Sequence, residues 1–350
     1  MKILHVINTL GYGGAERLLS DLLPLQSKTN EVSVVVYKLL DTAFEKKIKE
    51  AGIPIISLEE KSYHNPFVIY KLRSIIKCYD VVHAHLFPNI YWVSLAARGL
   101  NVKLVYTEHS TSNGRRSKPY MKPIERFMYA RFDKIISISD QTQESLLKWL
   151  GTKDDRFMII NNGVDIKKLS SVRKKVVPKS LVMVSRFSAP KDQDTVIRAM
   201  QHIDIDATLV FVGDGERRAH CEQLVRDLNL TDRVRFLGAR SDVADIISSS
   251  YIGIQSSHWE GFGLTAVELM ACHKPVIATN VDGLRQVVEG AGIIFHQGNE
   301  LELADIVNRL LNDKEYYNKH ADLCLDRACI YDITVMNNKY ISVYKGLCNK

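Results

Sequence analysis

Two carboxylates stand eight residues apart in the segment Glu260-Gly-Phe-Gly-Leu-Thr-Ala-Val-Glu268, with a glycine-bearing turn and a helix start between them. A helix beginning near Gly263 offers unpaired backbone N–H groups, a site suited to a diphosphate. Glu268 then lies roughly 7–8 Å along the helix, at about 1.5 Å per residue. That is about the span from a β-phosphate to the ribose of the same nucleotide, and a carboxylate accepts from two ribose hydroxyls. Glu260, on the loop before the helix, faces a sugar on the other side of the phosphates. A helix cap followed by one solvated Glu is the plainer reading of the pair. The Gly-Phe-Gly-Leu-Thr insert at a strand end favours the ligand-binding one.

Two cations, Arg186 and Lys191, lie five residues apart in Ser185-Arg-Phe-Ser-Ala-Pro-Lys191. They follow a predicted strand, where open α/β sheets bind ligands. They can clamp a diphosphate and offset the charge that grows on it as a glycosidic bond breaks. The loop Leu10-Gly-Tyr-Gly-Gly-Ala-Glu16 places Gly13 and Gly14 after the first strand, where they permit close approach of backbone to a phosphate or sugar, or simply form a tight turn. It lacks the third glycine of a dinucleotide loop, since position 16 is Glu. Thr107-Glu-His109 ends another strand and puts His109 in reach of a substrate; His83 and His85 read as structural histidines. No nucleophile elbow, P-loop or HExxH motif occurs.

The elements that position these residues alternate. Short Val- and Ile-rich runs at residues 2–8, 32–37, 54–58, 81–85, 104–109 and 134–139 are predicted strands. So are 181–187, 208–212, 234–237, 252–256, 276–279 and 292–295. Their near-continuous hydrophobicity suits strands buried on both faces of a parallel sheet, and helical patterns separate them. The class is α/β, doubly wound. Residues 166–179, basic and aperiodic, read as a linker. The first domain therefore covers 1–168, the linker 169–175 and the second domain 176–331.

The chain has 350 residues, 46% hydrophobic and 25% charged, enough for two buried cores. No apolar run reaches the 18 or so residues of a membrane span, and the N-terminus does not read as a signal peptide, so a cytoplasmic location is expected. Six cysteines form no CxxC pair, which speaks for free thiols and against structural zinc. The net charge of +7 is too mild for a nucleic-acid domain but suits anionic nucleotides or anionic lipid. Residues 115–134 hold seven bases against two acids, interleaved with Tyr120, Ile124, Phe127 and Met128. Ile124, Phe127, Met128 and Arg131 follow i, i+3, i+4, i+7 spacing. Either this face packs on the core, or it rests on the inner face of the plasma membrane with Arg115, Arg116 and Lys118 reaching lipid.

Taken together, the motifs resemble glycosyltransferase family 4, a retaining family with the two-domain GT-B fold. The resemblance covers the whole chain. It rests on Gly13–Glu16, Thr107-Glu-His109, Asn162-Gly-Val-Asp165, Arg186 with Lys191, Gly213-Asp-Gly215, Phe236-Leu-Gly238 and the Glu260/Glu268 pair. It implies two Rossmann-like domains facing a cleft, the first on the acceptor side, the second binding a nucleotide-sugar, and a last helix, 332–350, crossing back to the first. Gly14, Arg186, Lys191 and the backbone of Leu264 and Thr265 would hold the diphosphate, Glu268 the ribose and Glu260 the transferred sugar. His109 would face the sugar and acceptor, and the base would lie near residues 237–240, at Arg240. The implied reaction is retaining transfer of a hexose from a nucleotide-sugar, UDP preferred over GDP, to a lipid-linked polysaccharide precursor, with no metal or other cofactor. A nucleotide-sugar epimerase and a non-catalytic nucleotide-sugar-binding protein are the rival readings. Two positions depart from the family: Ser185 stands where a Gly precedes the Arg, and Asp192 where a Gly follows the Lys.

Overall fold

The computed structural model describes residues 1–11, 13–111 and 114–349; Tyr12 of the glycine loop lies outside them. The chain forms two compact units, one of Met1–Gly163 with Ile333–Lys350, the other of Val164–Asp332.

The first unit holds strands β1 (Lys2–Val6), β2 (Glu31–Val36), β3 (Ile55–Ser57), β4 (Val81–His85), β5 (Lys103–Glu108), β6 (Lys134–Ser137) and β7 (Phe157–Ile159). They make one sheet in the order β3-β2-β1-β4-β5-β6-β7, with every pairing parallel. Because side chains alternate across a strand, Ile3, Val34, Val81 and Val105 enter one core with the helices Gly14–Gln26 and Ile333–Cys348. Leu4, Val35, Val82 and Tyr106 enter the other with the helices Val68–Ile76 and Asn89–Ala96. Both faces are therefore apolar, which is why these strands read as continuous hydrophobic runs.

The second unit repeats the plan with β8 (Ser180–Val184), β9 (Thr208–Val212), β10 (Val234–Phe236), β11 (Ile252–Gln255), β12 (Val276–Thr279) and β13 (Ile293–Phe295). The order is β10-β9-β8-β11-β12-β13, again parallel throughout. Renumbered from each unit's first strand, both sheets run 3-2-1-4-5-6, the doubly wound nucleotide-binding order, and the first adds a seventh strand, β7, at its edge. The strand order reverses between β1 and β4 in one unit and between β8 and β11 in the other.

The segment expected as a linker opens instead with a helix, Ile166–Ser171, capped by the Asp165 side chain at the Lys168 N–H (2.9 Å). Ile166 and Leu169 are buried, and the Cys272 thiol donates to the Leu169 carbonyl. This stretch belongs to the second unit, and the first passage between units falls at Gly163/Val164. Among the described residues no helix is long and apolar enough to cross a membrane.

Candidate functional site

The candidate residues divide between the two units. In the second, the loops after β8 and β11, the strands on either side of the order reversal, carry Lys191 and Glu260. The two are ion-paired, and the Lys191 ammonium also donates to Ser257 Oγ at 3.3 Å. Lys191 and Ser257 form an isolated antiparallel bridge, which sets the loops side by side. An ammonium has three N–H donors, so this arrangement leaves one for a ligand oxygen. Both side chains are about four-fifths buried, so the charges are held in place before any ligand arrives.

Arg186 is different. Its side chain is 75% exposed and, among the described residues, its guanidinium pairs with the solvated Glu216 carboxylate alone, at 3.6 Å. Such a contact contributes little, and the guanidinium is free to turn toward an anion. Its backbone is fixed: Gln193 Nε2 donates to the Arg186 carbonyl (3.1 Å) and to Ser185 Oγ (3.0 Å). Ser185, one of the two departures from the family pattern, thus ties its loop to the following helix. Asp192, the other, accepts from the Thr195 N–H at 3.2 Å and from Ser256 Oγ at 3.1 Å. Its φ of −114° needs no glycine. Each substitution replaces backbone freedom with a side-chain anchor.

The helix Leu264–Ala271 starts on Gly263, whose φ of +84° is left-handed. A Cβ there would stand 2.5 Å from Leu284 Cδ2. The first intrahelical bond runs from Ala266 N to Gly263 O, so the N–H groups of Leu264 and Thr265 precede the ladder, as a diphosphate site requires. Glu268, two residues further into the helix than Ala266, is only 2% exposed. Arg240 donates twice to Asp242, at 2.8 and 2.7 Å, so the guanidinium expected near a base is committed to a carboxylate.

Two supporting residues escape the sequence reading. Ser257 shares Lys191 with Glu260. Gly283, at φ +86°, lies where a Cβ would come within 2.4 Å of the Glu260 carbonyl oxygen, so it lets the Asp282-Gly283 turn back the Glu260 loop. A Val-Asp-Gly turn signal was present in the sequence, but its partner lies 23 residues away.

In the first unit, Gly13 precedes the helix Gly14–Gln26 with φ −124°, and a Cβ on it would collide with the Glu16 carboxylate at 2.2 Å. A Cβ on Gly14 would meet nothing within 4 Å. A Cβ on Gly13 would thus displace only the Glu16 side chain, and one on Gly14 would enter open space at the helix start, so neither glycine is demanded by backbone packing. His109 follows β5, half-buried, with Nε2 3.1 Å from His85 Nδ1. Burial pushes its pKa down to about 4, so it is neutral at pH 7.

The basic window needs correction. Arg115 and Arg116 do not reach outward. The Arg115 guanidinium donates to Glu125 at 2.6 Å and lies 4.0 Å over the Phe87 ring. Arg116 pairs with Glu108 at 3.2 Å and donates to the Thr111 carbonyl and Ser145 hydroxyl. Their acceptors are buried carboxylates, which must be paired. Glu125 also accepts from Trp149 Nε1 (2.6 Å), and Glu108 from the Tyr129 hydroxyl (2.7 Å). Burial still raises the Glu108 pKa, against the pull of Arg116. Lys118 is exposed, as expected. The helix Met121–Tyr129 is turned opposite to a core-facing amphipathic one: Glu125 and Tyr129 point inward, while Ile124 and Phe127 are exposed and Tyr120 before it is 64% exposed.

Two parallel-sheet units of this order, with cations, a carboxylate pair and a helix start at the strand ends of one of them, fit the GT-B architecture of glycosyltransferases. Residues 12–168 match the family model Glycosyltransferase Family 4, and residues 166–322 match Glycosyl transferases group 1. The N-acetyl-alpha-D-glucosaminyl L-malate synthase of Bacillus anthracis is 29% identical over 77% of this chain and 74% of its own. A Campylobacter jejuni enzyme is 24% identical over 93% of this chain and 94% of its own. It is the N-acetylgalactosamine-N,N'-diacetylbacillosaminyl-diphospho-undecaprenol 4-alpha-N-acetylgalactosaminyltransferase. The structure of Anabaena HepE with UDP and glucose superposes with a TM-score of 0.86, at 23% identity, over 99% of this chain and 100% of that one. The chain belongs to glycosyltransferase family 4, and neither the epimerase nor the non-catalytic reading is favoured.

Proposed function

We propose that the protein transfers a hexose from a UDP-sugar, with retention and without a metal ion, to a lipid-linked polysaccharide precursor. In this reading the second unit binds the donor and the first faces the acceptor. The observation that carries it is the Lys191–Glu260–Ser257 cluster beside the open start of the helix Leu264–Ala271. Lys191, Arg186 and the N–H groups of Leu264 and Thr265 supply positive potential where a metal would otherwise sit, and the leaving diphosphate gains charge there. The anomeric carbon–phosphate oxygen bond breaks as the acceptor oxygen attacks the same face. The acceptor proton passes to a leaving phosphate oxygen, so no protein nucleophile is needed. Glu268 accepts from the ribose hydroxyls, and Glu260 and His109 contact sugar. The UDP of the HepE complexes and the undecaprenol-linked substrate named for the Campylobacter relative support the choices of donor and acceptor.

Calorimetry with UDP tests the division of labour. Glu268→Ala should weaken binding by about 1.5–3 kcal/mol, the scale of hydrogen bonds to a charged group. Glu260→Ala should leave UDP binding nearly intact while transfer from labelled UDP-sugar collapses. Equal loss of UDP affinity in both variants would refute it.

A membrane-facing first unit completes the reading. Its support is the outward set of Tyr120, Ile124 and Phe127 with Lys118 and Arg126, an amphipathic surface suited to an anionic bilayer interface. Arg115 and Arg116 contribute to the fold of this surface and not to its contact.

A further inference from the structure

The first unit holds a line of polar rings of which the transfer scheme uses only His109. His5 lies in β1, His83 and His85 in β4, and His109 just beyond β5. Register places His5 beside His83, and His85 beside Thr107. With the two-residue period of a strand, all of these point to the face covered by the helices Gly14–Gln26 and Ile333–Cys348. Buried imidazoles in such a core are tolerated only when their nitrogens are satisfied.

They are satisfied in series. Gln26 Oε1 lies 2.8 Å from His5 Nε2. His5 Nδ1 lies 3.0 Å from His85 Nε2, and His85 Nδ1 lies 3.1 Å from His109 Nε2. His83 stands outside this series, held by the Tyr344 hydroxyl at Nδ1 (2.6 Å) and Thr107 Oγ1 at Nε2 (2.7 Å). Its ring packs 4.1 Å from that of His85. Burial lowers the pKa of all four histidines, to about 4 for His5 and His109 and well below the usual value for His83 and His85. Each ring is therefore neutral at pH 7, with one donor and one acceptor nitrogen.

Neutral rings in series have a direction. The Gln26 carbonyl oxygen only accepts, so His5 carries its proton on Nε2 and accepts at Nδ1. His85 must then donate from Nε2 and accept at Nδ1. That acceptor takes the Nε2 proton of His109, whose Nδ1 is left as a lone pair. Among the described residues this Nδ1 meets no protein partner. We propose that Gln26, His5 and His85 are positioning residues that hold His109 as its Nε2–H tautomer, so that its Nδ1 accepts a hydroxyl proton from bound sugar or acceptor. The inference rests on the reading of His109 as a sugar-contacting residue. It adds to that reading which nitrogen acts and which residues impose it.

Three of these rings, His5, His83 and His85, also bring donor atoms within 4.8 Å of one another, a set able to approach a metal ion. A metal would need lone pairs that the hydrogen bonds above already use, so the two arrangements exclude each other.

Ring-nitrogen NMR on the full chain labelled with 15N-histidine decides the matter. In the wild type at pH 7, the His109 signals should show a single Nε2–H tautomer. His85→Phe and Gln26→Leu should each give averaged tautomers at His109. In both, kcat for transfer should fall about tenfold, the scale of one lost hydrogen bond, while KM for the UDP-sugar changes by less than about twofold. Mixed tautomers, an Nδ1–H tautomer or a protonated His109 in the wild type would overturn the proposal without any variant. So would an unchanged His109 spectrum in folded His85→Phe, or a zinc ion retained by the purified chain at His5, His83 and His85. If the tautomer is fixed and yet His109→Ala transfers at the wild-type rate, the chain of rings stands and the role of His109 in transfer falls.

Discussion

Gly213 and Gly215 carry the loop that underlies Arg186, at φ +135° and +154°. A Cβ on Gly213 would stand 2.0 Å from the Ser185 carbonyl oxygen, and one on Gly215 would stand 2.3 Å from that of Phe187. Neither backbone atom can yield without moving the cation loop. Gly213→Ala is expected to cost roughly 1–3 kcal/mol of stability, the scale of a strained backbone, and to weaken UDP binding; thermal unfolding and calorimetry would show both. Gly14→Ala is the contrast. Its Cβ meets nothing within 4 Å, so stability should hold, and any loss of donor affinity reports ligand approach and not folding. Lys191→Ala should lower kcat by about a hundredfold, as for a lost oxyanion donor, and EDTA should leave wild-type turnover unchanged. At this scale the sequence exposes the cations and carboxylates because their spacing is local. It hides Ser257 from Lys191 and Gly283 from Glu260, since only the strand order brings them together. It also misplaces Arg115 and Arg116, because a count of charges does not tell which ones a buried Glu108 and Glu125 will draw inward.

Twelve of the strands are read from the sequence as apolar runs, and the thirteenth is not. β7 (Phe157–Ile159), at the sheet edge, is no shorter than β3, β10 or β13, but its apolar run is masked by Asp154, Asp155 and Arg156 before it and Asn161 and Asn162 after it. The helix Ile166–Ser171 is hidden for a similar reason: only Ile166 and Leu169 face inward, amid lysines and serines. The helix Met121–Tyr129 teaches the opposite lesson. Its apolar stripe is plain in the sequence, but periodicity alone does not say whether the stripe meets core or solvent. Here the inward places go to Tyr129 and to Glu125, whose partners are Arg115, Trp149 and Tyr91. Phe127, 58% exposed, and Tyr120 should therefore be removable without harm to the core. Tyr120→Ser with Phe127→Ser is expected to leave the melting temperature within about 2 °C, as surface substitutions do. It should also reduce co-sedimentation with anionic vesicles. Equal binding of wild type and double variant to anionic and neutral vesicles would remove this surface from the account.

The two units share a strand order but not a chemistry of burial, and the difference has a consequence for the molecule's response to acid. In the first unit His5, His83 and His85 are buried and His109 half-buried, all with lowered pKa values. In the second unit His202, His220, His273 and His296 are exposed, and His258 and His320 half-buried. A histidine whose folded pKa lies below its unfolded value binds fewer protons when folded. Its neutral burial costs nothing above about pH 6.5, and stability is lost as pH falls from there toward the folded pKa. For His5 and His109 that window runs from 6.5 to about 4, and His83 and His85, whose pKa values burial also lowers, act in the same direction. Each fully responding histidine contributes about 1.4 kcal/mol per pH unit, so the four together give a steep decline below pH 6. Glu108, with its raised pKa, acts in the opposite sense, but it is one group against four. Hydrogen exchange measured from pH 7 to pH 5, corrected for the intrinsic rate, should show protection lost across β1, β4 and β5 before β8, β9 and β11. His5→Phe should flatten that decline. Parallel loss of protection in both units would mean that the buried rings are not what acid attacks.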